Sequence, residues 1–139
     1  ILRSAEAFGA TGAIATRGTA DPWSPKALRA SAGSALRLPV LRGIALPSLL
    51  AQLKMHLVKI VAAVVRPGTE TGEHAATGGV LRGPTALVVG SESTGLPAEV
   101  EHAADARISI PMRDSVESLN AAVAASLLLY EAARQRTEA

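Results

Sequence analysis

Apolar residues in this 139-residue chain come in short runs separated by glycine, proline and charged stretches, and the spacing inside each run predicts an element. Ile1–Phe8 repeats apolar and small residues at helical spacing and stops at Gly9, a helix end. Thr11–Thr16 reads as a short buried strand. Asp21–Pro25 is a loop, with Ser24 an N-cap and Pro25 the first position of a helix over Lys26–Leu36. Pro39–Val40 is a brief extended piece, and Pro47 starts a helix running to about His56. Val58–Val65, short and β-branched, is a strand. Pro67, Gly68, Gly72, Gly78, Gly79 and Gly83 mark a loop over Arg66–Gly83, enclosing a short helix at Glu73–Thr77. A strand at Ala86–Val89, a helix at Pro97–His102, a strand at Ala106–Ile110 and a helix at Glu117–Arg134 complete the chain.

Strands alternate with helices, and the strands are apolar throughout. This is an α/β pattern, a parallel sheet flanked by helices on both faces. The last helix is apolar almost all round, which predicts burial on every side. Ser118 and Asn120 at its mouth would then be held rigidly.

Composition narrows the class. With 48% apolar and 19% charged residues the chain is an ordinary folding sequence of one domain, not a disordered one. No apolar run approaches the roughly 18 residues of a spanning helix. The opening stretch carries Arg3 and Glu6 and no cleavage signature, so it is not read as a signal peptide. The absence of cysteine excludes disulfides and thiolate chemistry, and the chain is expected to be soluble and cytoplasmic. Its first residue, Ile1, falls inside a helix pattern, so the chain is expected to be a piece of a longer one.

Charge is unevenly placed. Residues 1–66 hold nine basic and two acidic side chains, and residues 67–139 hold five basic and ten acidic. A basic half on a chain of net charge +2 suggests a surface for a polyanion. Arginine dominates the basic set, and its fork suits phosphate. The three aromatics, Phe8, Trp23 and Tyr130, are too few for a base-stacking platform.

Two motifs carry candidate chemistry. Gly90–Leu96, G-S-E-S-T-G-L, follows a buried strand directly, where open α/β sheets bind ligands. Gly90 and Gly95 permit a tight turn, and Glu92 is an acid at its mouth. Taken alone it reads equally as a strand-to-helix turn with a solvated acid. It is neither a P-loop nor G-x-G-x-x-G. The second motif is Ser118-Leu119-Asn120, whose polar residues serve equally to cap a helix. Asp114 and Glu117 stand three apart, as in a capping box. Arg3 alone reads as a surface charge. His56, His74 and His102 lack ligand spacing, so no metal site is expected.

Taken together, Ile1–Gly9 with Arg3, Leu87–Leu96 with Glu92, and Ile108–Ala125 with Ser118 and Asn120 resemble, in order, the three motifs of the SpoU branch of the SPOUT superfamily, the RNA ribose 2′-O-methyltransferases. Thr16–Ala35 is similar to the linking helix of its rRNA-modifying members. The resemblance covers essentially the whole chain. It implies a parallel α/β sheet ending in a deep C-terminal trefoil knot, a rare exception to normal connectivity. It implies a homodimer acting on RNA, rRNA rather than tRNA, with S-adenosylmethionine as cofactor. By position, Val89, Gly90, Gly95, Ile110, Met112 and Leu119 would contact that cofactor. Arg3, Glu92, Ser118 and Asn120 would form the catalytic set. Arginine is always protonated, so Arg3 is assigned to substrate phosphate and developing alkoxide charge rather than to a base role.

The pattern departs from the family at its start. The family's strand and Asn ahead of the first-motif arginine would fall before Ile1, and the chain is expected to lack both, with any N-terminal RNA-binding domain. Residues 1–139 are therefore expected to be a catalytic domain without its first strand. A non-catalytic RNA-binding or dimerisation module of the same fold is the alternative. A nucleotide-binding α/β enzyme of another kind is disfavoured by the failed glycine spacing.

Overall fold

Ser24 begins its helix as the sequence predicts: its Oγ accepts the Ala27 N–H at 3.2 Å, ahead of Pro25. The fold around it is seen in a computed structural model that describes residues 1–65, 73–75, 79–113 and 115–137, the side chains of 73–75 excepted.

The chain opens with helix α1 (Leu2–Ala7) and strand β1 (Ala13–Thr16). The single helix expected over Lys26–Leu36 is two: α2 (Pro25–Ser31) and α3 (Ser34–Arg37). Ala32 and Gly33 adopt φ of 49° and 85°, a left-handed step that no continuing helix accommodates. The extended piece at Pro39–Val40 grows into β2 (Val40–Ile44), because parallel pairing with β1 recruits Leu41 and Arg42 into the ladder. Helix α4 (Leu46–Met55) and strand β3 (Lys59–Val64) follow within a residue or two of expectation.

The helix expected at Glu73–Thr77 is corrected. Glu73–Ala75 is strand β4, paired in parallel with the last strand, and 76–77 lie outside the described residues. Most of the loop expected over Arg66–Gly83 (66–72 and 76–78) also lies outside them. Next come β5 (Thr85–Val88), α5 (Ala98–Ala103), β6 (Ala106–Ser109) and α6 (Ala121–Thr137).

The parallel α/β expectation holds, but among the described residues the strands make two sheets: β1-β2, and β4-β6-β3-β5. Every strand pair is parallel. The core lies on the larger sheet, where Val61 and Ile108 are fully buried and pack with Leu81, Val80, Ala106 and Leu128. Leu128 brings α6 onto that sheet.

Helix α6 departs from expectation in two ways. It starts at Ala121 rather than Glu117, because Asn120 supplies the cap: its Oδ1 accepts the N–H groups of Ala122 and Val123 at 3.0 and 3.2 Å. Of the expected capping box, Glu117 precedes the helix and Asp114 lies outside the described residues. Nor is the helix buried all round. Ala125, Leu128 and Gln135 are buried, whereas Val123, Leu127 and Tyr130 are 49%, 45% and 54% exposed. Small residues narrow the buried face, so a mostly apolar helix still presents an apolar outer stripe. On its flank α1 docks through an edge-to-face Phe8–Tyr130 contact at 5.6 Å and a 2.6 Å hydrogen bond between Ser4 and Ser126 hydroxyls.

Candidate active site

Strand β5 delivers the chain into a tight loop. Ser91 and Gly95 exchange main-chain hydrogen bonds at 3.1 and 2.9 Å, and Ser91 Oγ accepts the N–H groups of Ser93 and Thr94. Gly95 closes the turn at φ +68°. At Gly90 glycine is obligatory for a different reason: a Cβ there would lie 2.4 Å from the carbonyl carbon of Gly95.

The loop holds Glu92 at its tip. One carboxylate oxygen accepts the Asn120 side-chain amide at 2.5 Å and the Ala121 main-chain N–H at 3.0 Å. Asn120 thus caps α6 with its oxygen and meets Glu92 with its nitrogen. The carboxylate also sits against the positive end of the helix. The second and third sequence motifs, 28 residues apart at these two side chains, are joined here.

Arg3 is exposed on the first turn of α1 and makes no hydrogen bond or ion pair among the described residues. It lines a surface hollow of about 360 Å³ with Ser4, Ala122, Val123 and Ser126, and so shares that hollow with the first turns of α6. Glu6 on the same helix is engaged elsewhere. Arg37 grips it with two bonds of 2.6 and 2.8 Å. That grip, aided by a hydrogen bond from Ser34, holds the carboxyl down at about 2. Ser118 is exposed, and no hydrogen bond joins it to Glu92, Asn120 or Arg3; none joins Arg3 to Glu92 either. The geometry therefore unites Glu92 with Asn120, sets Arg3 beside the same helix, and leaves Ser118 separate.

Val89, Gly90, Ile110 and Met112, just past the ends of β5 and β6, and Leu119, just ahead of α6, are half-buried, while Gly95 is exposed. The main-chain groups of Met112 and Leu119 find no hydrogen-bond partner among the described residues. Half-buried apolar walls with free main-chain donors and acceptors suit a ligand that is part apolar ring and part polar edge. The Ala121 N–H was not legible from sequence, since a main-chain donor leaves no residue signature.

A family model described as SpoU rRNA methylase matches residues 1–130. The chain belongs to the SpoU rRNA methylase family. A 23S rRNA (uridine(2479)-2′-O)-methyltransferase of Streptomyces viridochromogenes is 37% identical over 136 residues, covering 98% of this chain and 47% of that protein. A tRNA/rRNA methyltransferase of Synechocystis, its role uncharacterised, is 39% identical over 136 residues, 98% of this chain and 48% of its own length. The crystal structure of a SpoU methyltransferase from Streptomyces viridochromogenes in complex with the cofactor AdoMet superimposes with a TM-score of 0.90 at 33% identity, covering 100% of this chain and 55% of that one. This SpoU chain spans about half the length of the curated relatives it matches. Among its described residues no helix is long and apolar enough to cross a membrane.

Proposed function

We propose that this chain carries the catalytic domain of an S-adenosylmethionine-dependent RNA ribose 2′-O-methyltransferase, acting on rRNA in preference to tRNA. The observation that supports it most is the junction of Glu92 with Asn120 and the Ala121 N–H, which ties the loop after β5 to the start of α6. The basic first half of the chain supports a polyanionic substrate. The 23S rRNA specificity of the Streptomyces relative supports the rRNA preference.

In this reading Val89, Gly90, Gly95, Ile110, Met112 and Leu119 hold the cofactor, through apolar contact and the free main-chain groups of Met112 and Leu119. The bound cofactor supplies a methyl group already activated by a sulfonium, so orientation of the ribose accounts for much of the rate. Arg3 binds a substrate phosphate and stabilises the charge that builds on the 2′-oxygen as it attacks the methyl, the hydroxyl proton passing to solvent water. Glu92 and Asn120 fix the loop against α6. Ser118, with no hydrogen-bond partner among the described residues, is left to meet the ribose. The hold of Glu92 on Asn120 and the Ala121 N–H, which sets the loop after β5 against the start of α6, supports a C-terminal trefoil knot. The exposed stripe of Val123, Leu127 and Tyr130 supports a homodimer through α6.

Incubation of the chain with methyl-labelled S-adenosylmethionine and separate pools of unmodified rRNA and tRNA tests this. Label recovered as 2′-O-methylated nucleoside from rRNA is the expected result. Label confined to tRNA reverses the substrate preference. RNA retention without cofactor affinity replaces the reading with a non-catalytic RNA-binding module.

A further inference from the structure

The smaller sheet has a site of its own. Beyond the carboxyl ends of β1 and β2 lies a pocket of about 390 Å³, lined by Thr16, Arg17, Gly18, Thr19, Asp21 and Arg42 among others. Parallel pairing makes it: Ala15 stands opposite Arg42, so two arginines 25 positions apart arrive at one strand end. This is the end of an α/β sheet at which ligands bind.

The two arginines are not equivalent. Arg42 is committed, its Nη1 donating to Asp21 at 2.9 Å. Asp21 is itself fixed by the Trp23 N–H at 3.0 Å, and that bond, then Arg42, holds its carboxyl below the usual range. Arg17 is anchored only by its Nε, which donates to the Gly43 carbonyl at 3.2 Å. Its two terminal nitrogens have no partner among the described residues. A guanidinium pinned at Nε with a free terminal pair is oriented for an oxyanion. The turn beside it adds donors. Gly18, at φ +88°, offers a main-chain N–H with no partner among the described residues, and the Thr16 and Thr19 hydroxyls lie 3.4 Å apart at the rim. With Asp21 cancelled by Arg42, Arg17 leaves the pocket one net positive charge.

We propose that this pocket is a phosphodiester-binding subsite for the RNA, with Arg17 as its principal ligand and the Gly18 N–H and Thr19 hydroxyl as supporting donors. It rests on the RNA-methyltransferase reading and adds a second anchor point, on a different sheet from the loop of Glu92. A subsite of this kind positions the substrate and carries no base information.

The test compares the 139-residue chain with Arg17→Ala and Thr19→Glu, using an rRNA fragment and an unrelated structured RNA of equal length. RNA affinity is measured across a salt series, with S-adenosylmethionine affinity and thermal melting as controls. Removing one phosphate contact is expected to weaken both RNAs alike, by about fivefold to tenfold, and to lower the salt slope by roughly 1. Thr19→Glu, which adds a carboxylate at the rim, is expected to weaken binding at least as much. Cofactor affinity and melting stay unchanged, and in turnover the loss falls on KM rather than kcat. Wild-type RNA affinity and salt slope in both variants overturn the subsite while leaving the methyltransferase reading intact. A parent chain that binds neither RNA nor cofactor overturns the reading, and the subsite with it.

Discussion

Gln135, 1% exposed near the end of α6, accepts the main-chain N–H of Leu81 at 3.0 Å. Its amide nitrogen donates to Glu131 at 2.8 Å, so the buried group is satisfied on both sides. Arg136 extends the link, donating to the carbonyls of Leu81 and Gly83. The segment entering β5 is therefore held by the helix that closes the chain.

Gln135→Leu strands the buried Leu81 N–H without a partner. The expected cost is about 1–3 kcal/mol, read as a lower midpoint in chemical denaturation. A Gln135→Glu variant retains the acceptor but sets a charge against Glu131, and should lose at least as much.

Asn120→Ser separates the two roles of Asn120. Serine is an equally good helix cap, so the melting temperature should hold within a few degrees. Serine does not reach Glu92, and the loop loses its tie. Methyl transfer should fall at least tenfold in a single-turnover assay. Unchanged turnover would reduce Asn120 to a cap.

At Gly90 even alanine is excluded by the backbone of Gly95. Gly90→Ala should open the loop and cost about 1–3 kcal/mol, the range for forced overpacking. Cofactor affinity, measured by calorimetry, should drop further than stability does. Gly18, where a Cβ meets nothing within 4 Å but φ is +88°, makes a useful contrast: strain without collision.

The Glu6–Arg37 pair predicts a pH window. The carboxyl of Glu6 is depressed to about 2 by Arg37 and then Ser34, so the pair contributes above the ordinary carboxylate pKa and its contribution is lost as pH falls from about 4.5 towards 2. Glu6→Gln should be less stable than the parent at neutral pH, and the difference should close across that window. Because the pair is on the surface, added salt should shrink the neutral-pH difference as well.

The elements legible in the sequence were those set by local chemistry. Ser24-Pro25 announces a helix start, and Val58–Val65 needs no partner to read as a strand. Elements set by partners were not legible. Leu41-Arg42-Gly43 lacks a strand pattern, and only pairing with β1 makes it one. Glu73 and its neighbours carry no β-branched signal, yet pair with β6. Ala32 gives no turn signature, because its left-handed φ comes from the Gly33 step and not from its own side chain. The site divides the same way. Glu92 and Asn120 were found through motif order, and their contact follows from the fold. Arg17 and Arg42 were missed as a pair, because register and not spacing brings them together.

The Ser4–Ser126 hydrogen bond joins residues 122 positions apart. The helix that bears Arg3 is therefore made well before the helix it docks on. Until α6 is made and seated on the larger sheet, α1 rests only against α2 and α3, with Arg37 holding Glu6, and the hollow beside Arg3 lacks its α6 wall. Arg3 is thus made before the helix that completes its surroundings. A chain cut before α6 can keep its central strands and its Glu6–Arg37 pair and still present Arg3 without the wall it faces.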